Sequence, residues 1–233
     1  MRRPSFDRSW VVGVLVAVLL VGTVAADASA AVLWADGFGG TALRARWTEV
    51  DARWWVRDGS LHVHKRSVNQ RTRIGFAVID LGGPHRAGLR VSSQVRLSPG
   101  YANVGLVTPF RDARNYLYCK VELTPRNPNG AALLGHRIRG GQPSLVRAAR
   151  AIGLEPSAVY RLTMERRGRT ISCGIWRNGA LVAELRYRMT QKDIMAFGGG
   201  PMAGLRIKVD DRGTRSDEDD GRSRFLDFQA TAI

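Results

Sequence analysis

The sequence predicts an all-β protein built as an antiparallel sandwich or barrel. Short runs of alternating apolar and polar residues indicate half-buried strands. Gly-, Pro- and Asn-rich turn signals separate these runs, and the strand–helix–strand rhythm of a parallel sheet is missing. The 233 residues are 44% hydrophobic, which is enough for a core, and no repeat or Pro/Ser-rich linker divides residues 31–233. We therefore expect one β domain.

The first 30 residues have the pattern of a secretory signal peptide. Arg2, Arg3 and Arg8 precede an apolar stretch over residues 11–26, and Ala28-Ser29-Ala30 fits a cleavage site. This stretch is shorter than the roughly 20 apolar residues of a membrane span. The pattern predicts a signal helix in residues 1–30 and a secreted or cell-envelope domain over 31–233. Any membrane contact is expected only through an uncleaved signal segment.

The six clearest alternating runs cover residues 89–97, 115–123, 159–166, 170–176, 185–189 and 205–209. In the run over 115–123, Leu117 and Cys119 share one face, and Tyr116 and Tyr118 share the other. Asn178-Gly179 predicts a hairpin with a type I′ turn, because both central positions of that turn need positive φ. The one helix-like stretch, Pro143–Leu154, is interpreted as a loop.

The two cysteines have a specific meaning in a secreted protein. Cys119 and Cys173 both fall on the apolar phase of their strands, so both should point into the core. An oxidising compartment lets disulfides persist. The pattern favours one bridge, with two separate buried thiols as the alternative.

The charge balance points to an anionic partner. Lys and Arg number 36 against 20 Asp and Glu, which gives a net charge of +16 and a pI near 11.2. We expect an extracellular polysaccharide or another polyanion. The arginines alternate with core residues and form no basic tail, so no specific nucleic-acid binding is expected. The alternative is an ordinary solvated surface rich in arginine.

Several segments resemble one known family. They are Leu33–Phe38, Trp47, Trp54–Leu61, Val104–Val107, Asn115–Tyr118, Tyr160–Arg166 and Phe225–Phe228. Together they are similar to concanavalin A-like jelly-roll domains, which include laminin-G-like lectin and glucanase modules and keto-disaccharide-hydrolase-related domains. The resemblance covers nearly all of residues 31–233. It implies an all-β, two-sheet antiparallel jelly-roll sandwich whose last strand returns beside the first.

The polar face of the run over 115–123 is the candidate ligand-binding surface. Tyrosine rings stack on sugars, and arginine forks bind carboxylates or phosphates. The alternative is that the arginines only cover sheet faces, or lie on opposite sheets and never meet. The candidate residues are Tyr116, Tyr118, Lys120, Glu122, Arg137 and Arg161.

Catalysis has only a weak candidate in the sequence. Glycoside hydrolysis commonly uses two carboxylates, and the dense E-x-D-x-E strand of jelly-roll glucanases is missing here. Glu122 is the candidate catalytic residue, while Glu165 and Glu184 are surrounded by arginines. The alternative function is therefore a secreted glycoside hydrolase or polysaccharide lyase with a diverged site on the concave sheet.

A structural calcium ion is the one metal that the sequence suggests, and no other cofactor is expected. Asp36 and Asp227 become neighbours if the terminal strands pair, and carboxylate oxygens are ligands that Ca²⁺ prefers. Our first hypothesis for the whole chain is a secreted carbohydrate-binding or adhesion-like domain for acidic glycans or cell-wall polymers. A nonspecific polyanion binder is the third possibility, after the enzyme.

Overall fold

The described part of the chain folds into two antiparallel sheets that pack face to face, with one short helix. The computed structural model describes residues 30–64, 67–82, 88–197, 202–209 and 223–233. The expected signal helix over residues 1–30 falls almost entirely outside these ranges. In the described part of the chain, no helix is long and apolar enough to cross a membrane.

Sheet A contains nine strands. Its main path runs β13-β12-β11-β6-β15-β4-β3, and β16 pairs with both β6 and β1. Its strands are β1 (Val32–Asp36), β3 (Trp54–Arg57), β4 (Ser60–Val63), β6 (Gly88–Arg96), β11 (Val159–Arg167), β12 (Thr170–Arg177), β13 (Ala180–Arg188), β15 (Arg224–Phe225) and β16 (Phe228–Ala232).

Sheet B contains seven strands in the order β10-β9-β8-β7-β14-β5-β2. They are β2 (Trp47–Val50), β5 (Ile74–Asp80), β7 (Ala102–Asp112), β8 (Asn115–Thr124), β9 (Asn127–Arg137), β10 (Ser144–Arg150) and β14 (Met202–Lys208). The expectation of an all-β, two-sheet sandwich is therefore confirmed.

The core lies between the two sheets and follows the alternation of the sequence. On β8, Leu117, Cys119 and Val121 are fully buried in this layer. On β11 and β12, Leu162 and Ile175 face them from sheet A. Successive side chains of a strand point to opposite faces. The residues that alternate with these buried ones therefore point to the outer face of their sheet.

A disulfide joins the two sheets through this core. Cys119 on β8 and Cys173 on β12 are bonded, with their Cα atoms 5.6 Å apart and a separation of 54 positions in the sequence. Sheets that pack face to face lie about 10 Å apart, so the two strands approach each other closely at this point.

Local signals account for most turns. Asn178 and Gly179 have φ values of 49° and 80°, which confirms the type I′ hairpin between β12 and β13. The interpretation of Pro143–Leu154 as a loop is wrong for its first half. Residues 144–150 form β10, which pairs with β9 at the edge of sheet B. This pairing with a neighbouring strand, and not local sequence propensity, makes the segment a strand.

The helix α1 (Gln191–Phe197) was not anticipated. Thr190 caps its N-terminus, since its hydroxyl accepts a hydrogen bond from the backbone N–H of Asp193 at 3.2 Å. The Asp193 carboxylate in turn accepts the backbone N–H of Thr190 at 2.7 Å. This reciprocal pair is a capping box, so Thr190-x-x-Asp193 was a usable signal in the sequence.

The terminal strands pair as the family pattern implies. β16 lies antiparallel to β1, with Asp36 opposite Phe228. Phe225 and Phe228 are both buried in the core, and Phe228 contacts the Trp47 ring with centroids 5.0 Å apart. The last strand thus covers the core beside β1.

The disulfide should contribute strongly to stability. A bridge across a loop of this length lowers the conformational entropy of the unfolded chain. It thereby raises the free energy of unfolding by about 4 kcal/mol. We expect Cys119→Ala/Cys173→Ala to lower the free energy of urea unfolding by about that amount. Wild-type protein unfolded with a reducing agent is the matched control and should match the variant. A loss below about 1 kcal/mol would contradict this account.

Candidate functional site

The outer face of sheet B brings together most of the residues that the sequence selected. Tyr116, Tyr118, Lys120 and Glu122 follow one another along β8 on the face opposite Cys119. The neighbouring strands add Phe110 and Asn103 from β7, Arg206 and Lys208 from β14, and Phe76 from β5. This face divides into an aromatic half and a cationic half.

The aromatic cluster occupies the first half. We use this name for Phe76, Phe110, Tyr116 and Tyr118, whose rings pack with centroids 4.9 Å apart for Phe76 and Tyr116 and 6.0 Å apart for the two tyrosines. Tyr116 is 0% exposed and Tyr118 is 4% exposed. The expectation that these rings stack on a sugar is therefore wrong, because Phe110 of the neighbouring β7 and Phe76 of the distant β5 pack against Tyr116.

The cationic cluster occupies the second half. It consists of Asn103, Lys120, Glu122, Asn127, Arg206 and Lys208. The Lys120 ammonium donates to Glu122 at 2.8 Å and to the Asn103 side-chain oxygen at 3.2 Å. The Arg206 guanidinium donates to that same Asn103 oxygen at 2.9 Å. Asn103 thus connects the two cations across β7.

A glycine makes room for this arrangement. Gly105 lies between Lys120 and Arg206 in the strand register. A Cβ atom there would come within 2.2 Å of the Cys119 carbonyl oxygen and 2.6 Å of the Lys120 Cβ. Any larger residue would separate the strands or displace Lys120, so a bare backbone at this position is required.

Burial changes the titration of the cluster. Burial, together with the charge of Arg206, lowers the pKa of Lys120 to about 8, against a smaller opposing effect of Glu122. Burial also acts to raise the pKa of Glu122, but the Lys120 charge and hydrogen bond outweigh it and keep that pKa below its usual range. Glu122 is therefore ionised, and Lys120 gains or loses its charge near neutral pH.

The cationic cluster has more positive than negative charge. Lys120 is 7% exposed and Arg206 is 2% exposed, and Lys208 lies beside them. In the contacts of the described residues, Glu122 is the one carboxylate that faces these three cations. The buried Nε of Arg206 has no hydrogen-bond partner. Buried charges are normally paired and hydrogen-bonded, so the excess positive charge of this cluster favours an anion electrostatically.

Two arginines that the sequence selected do not join this cluster. Arg137 lies opposite Tyr116 on the same face, but its guanidinium donates to the carbonyl oxygens of Ala113, Gly140 and Gly141. It holds two loops together. Arg161 belongs to β11 of sheet A. Including it in one groove with β8 was wrong, since the two sheets present their outer faces in opposite directions.

The two aspartates considered for calcium are occupied by N–H donors. Asp36 accepts the Phe38 backbone N–H and the Trp47 indole N–H, each at 2.9 Å. Asp227 accepts the backbone N–H of Gln94 at 2.5 Å. Among the described residues, no group of three or more His, Cys, Asp or Glu is placed to hold a metal ion.

Sequence reasoning missed four of the six residues of the cationic cluster. Arg206 and Lys208 were visible as polar residues alternating with core residues in the run over 205–209. Asn103 and Asn127 carried no comparable signal. The sequence does not show which strands are neighbours: β14 pairs with β7 although Asn103 and Arg206 are 103 positions apart in the chain.

Comparison with known proteins supports the fold alone. No family model matches the chain. No curated protein matches it in sequence either.

Solved structures do match in shape. The CBM2 module of the Lactobacillus casei BL23 phage J-1 evolved Dit aligns with a TM-score of 0.57 and 8% identity, over 88% of this chain and 96% of that one. The carbohydrate-binding module CBM66 from Bacillus subtilis aligns with a TM-score of 0.53 and 13% identity, over 82% and 96%.

A GH43 protein from Bacillus licheniformis aligns with a TM-score of 0.60 and 14% identity, over 85% of this chain. This chain spans only 39% of the length of that protein. All three structures contain the same kind of two-sheet sandwich. The chain therefore has a concanavalin A-like jelly-roll fold, as the sequence resemblance implied.

Proposed function

We propose that this protein is a secreted carbohydrate-binding domain that recognises an acidic glycan at the cationic cluster of sheet B. The observation that carries the proposal is the buried excess of positive charge around Lys120 and Arg206. The fold supports the glycan part, because structural neighbours include modules described as carbohydrate-binding. Fold alone does not determine function, so the argument depends on the site.

A carboxylate on a sugar ring fits this site chemically. A charge-assisted hydrogen bond to a carboxylate is roughly twice as strong as a neutral one. Arg206 still has an unpartnered Nε–H, and Lys120 is held in place by Asn103 and Glu122. Glu122 is 21% exposed in its side chain, so the cluster reaches solvent on that side. A uronic-acid carboxylate entering there would compensate the excess charge.

The geometry favours binding over hydrolysis at this place. A glycoside hydrolase needs a carboxylic acid that is protonated near neutral pH and a second carboxylate within about 10 Å. The pKa of Glu122 is shifted downward, which is opposite to the need of a general acid. In the hydrogen bonds of the described residues, this cluster includes no second carboxylate.

Secretion is part of the same proposal. Residues 1–30 have the composition of a signal peptide. The disulfide between Cys119 and Cys173 supports an oxidising compartment. An extracellular location would bring the domain to polysaccharides of the cell envelope or the surroundings.

The decisive test compares acidic and neutral glycans. We expect residues 31–233 to bind oligogalacturonate and alginate oligosaccharides in calorimetry, and neutral xylo-oligosaccharides much more weakly. Lys120→Met and Arg206→Met should each weaken acidic-glycan binding by about tenfold or more, since each removes a buried charge from the site. Arg167→Met, an exposed arginine of sheet A, is the matched control and should change little.

Thermal unfolding of each variant verifies that it is folded. Equal loss of binding in Arg167→Met would assign the affinity to overall charge and would contradict a defined site. A duplex DNA fragment that binds as well as the glycans, with affinity that disappears at high salt, would identify a nonspecific polyanion binder instead.

Binding should also depend on pH through Lys120. Its pKa is about 8, so the ammonium loses its charge as the pH rises above that value. We expect the affinity for acidic glycans to fall by up to about tenfold between about pH 7 and pH 9. Lys120→Arg stays charged over this range and should bind without that decline. The same decline in Lys120→Arg would show that another group is responsible.

A further inference from the structure

The outer face of sheet A has a row of side chains that runs across three strands. Trp176 on β12 lies opposite Arg161 on β11, and Arg161 lies opposite Gln94 on β6. The backbone N–H of Gln94 donates to Asp227, which follows β15. Strands are about 4.8 Å apart, so the row from Trp176 to Gln94 is about 10 Å long. That length matches a disaccharide rather than a single atom or ion.

The Trp176 ring lies along the sheet instead of projecting from it. Its indole N–H donates to the Thr163 hydroxyl on the adjacent strand at 3.3 Å. Gly174 provides the space, because a Cβ atom there would come within 2.8 Å of the Trp176 Nε1 and 2.6 Å of the Thr163 Oγ1. The ring is partly exposed. With its N–H already bonded to the sheet, its outward surface is a flat aromatic face.

The other end of the row is polar and preorganised. The Asp227 carboxylate accepts both the backbone N–H of Gln94 at 2.5 Å and the Gln94 side-chain amide at 3.1 Å. An Arg161 nitrogen lies 3.6 Å from the same carboxylate. The side chains of Arg161 and Asp227 are 43% and 32% exposed, so both can still reach a ligand. Together they offer donors and acceptors to neighbouring sugar hydroxyls.

The charge of this row differs from that of the cationic cluster. Arg161 and Asp227 compensate each other, so the row has no excess charge to neutralise. An aromatic face beside balanced donors and acceptors suits a ring with apolar C–H groups on one side and hydroxyls at its edge. We propose that Trp176, Arg161, Gln94 and Asp227 form a second glycan-contact surface, which takes a neutral sugar ring on Trp176. It goes beyond the acidic-glycan site and lies on the opposite sheet.

The test uses neutral disaccharides under conditions that suppress charge effects. Cellobiose, laminaribiose and maltose are titrated into ¹⁵N-labelled protein in about 1 M NaCl, where the Debye length is about 3 Å. The indole N–H resonance of Trp176 is identified by its loss in Trp176→Phe. We expect at least one disaccharide to shift this resonance, and we expect the shift to persist in Lys120→Met.

Three variants distinguish stacking from mere packing. Trp176→Ala should weaken the bound disaccharide at least about tenfold, as loss of a central aromatic contact does, and Trp176→Phe should weaken it less. Gly174→Ala should also weaken binding, because its methyl group displaces the indole. Ser172→Ala, on the same face of β12, is the control. If Trp176→Ala unfolds, binding by Trp176→Phe and Gly174→Ala decides whether the ring stacks on the sugar.

The possible results separate this surface from the acidic-glycan site. If no disaccharide shifts the Trp176 resonance, the second surface is wrong even when acidic glycans bind. The Trp176 ring would then only cover Gly174, as aromatic residues do in other sheets. If the resonance shifts while acidic glycans fail to bind, the surface stands and the cationic cluster has another role.

Discussion

The contact between the inner faces of β8 and β12 determines how the rest of this protein is arranged. Cys119 and Cys173 are both fully buried and are bonded across the two sheets. Because strand side chains alternate with a period of two, this contact also determines which residues point outward. A shift of β8 by one residue would place Lys120 and Glu122 in the core and expose Cys119.

The two outer faces that result have different electrostatic character. Within the described ranges, sheet B buries Lys120 and Arg206 beside one carboxylate, that of Glu122, so their cost of desolvation is only partly compensated there. Sheet A pairs Arg161 with Asp227 at the surface, where solvent screens both charges. The same sandwich thus offers one face suited to an anionic group and another suited to a neutral ring.

The sequence was informative wherever structure is local. Alternation along residues 115–123 correctly separated the inner Leu117 and Cys119 from the outer Tyr116 and Lys120. The Asn178-Gly179 turn followed from backbone sterics alone. The sequence did not predict which outward-facing side chains are exposed. Tyr116 is outward-facing yet 0% exposed, because Phe76 and Phe110 from other strands pack against its ring. Periodicity reports the direction of a side chain and not what covers it.

The sequence by itself determined the β class and the inward phase of both cysteines, since these depend on alternation and turns. Only the tertiary structure decided which strands are neighbours. It placed Arg206 beside Lys120 across β7 and moved Arg161 to the opposite sheet. The physical reason is that strand order depends on hydrogen-bonded pairing between segments far apart in sequence and on burial of their apolar faces in one common core. That is a property of the whole core, which no short segment encodes.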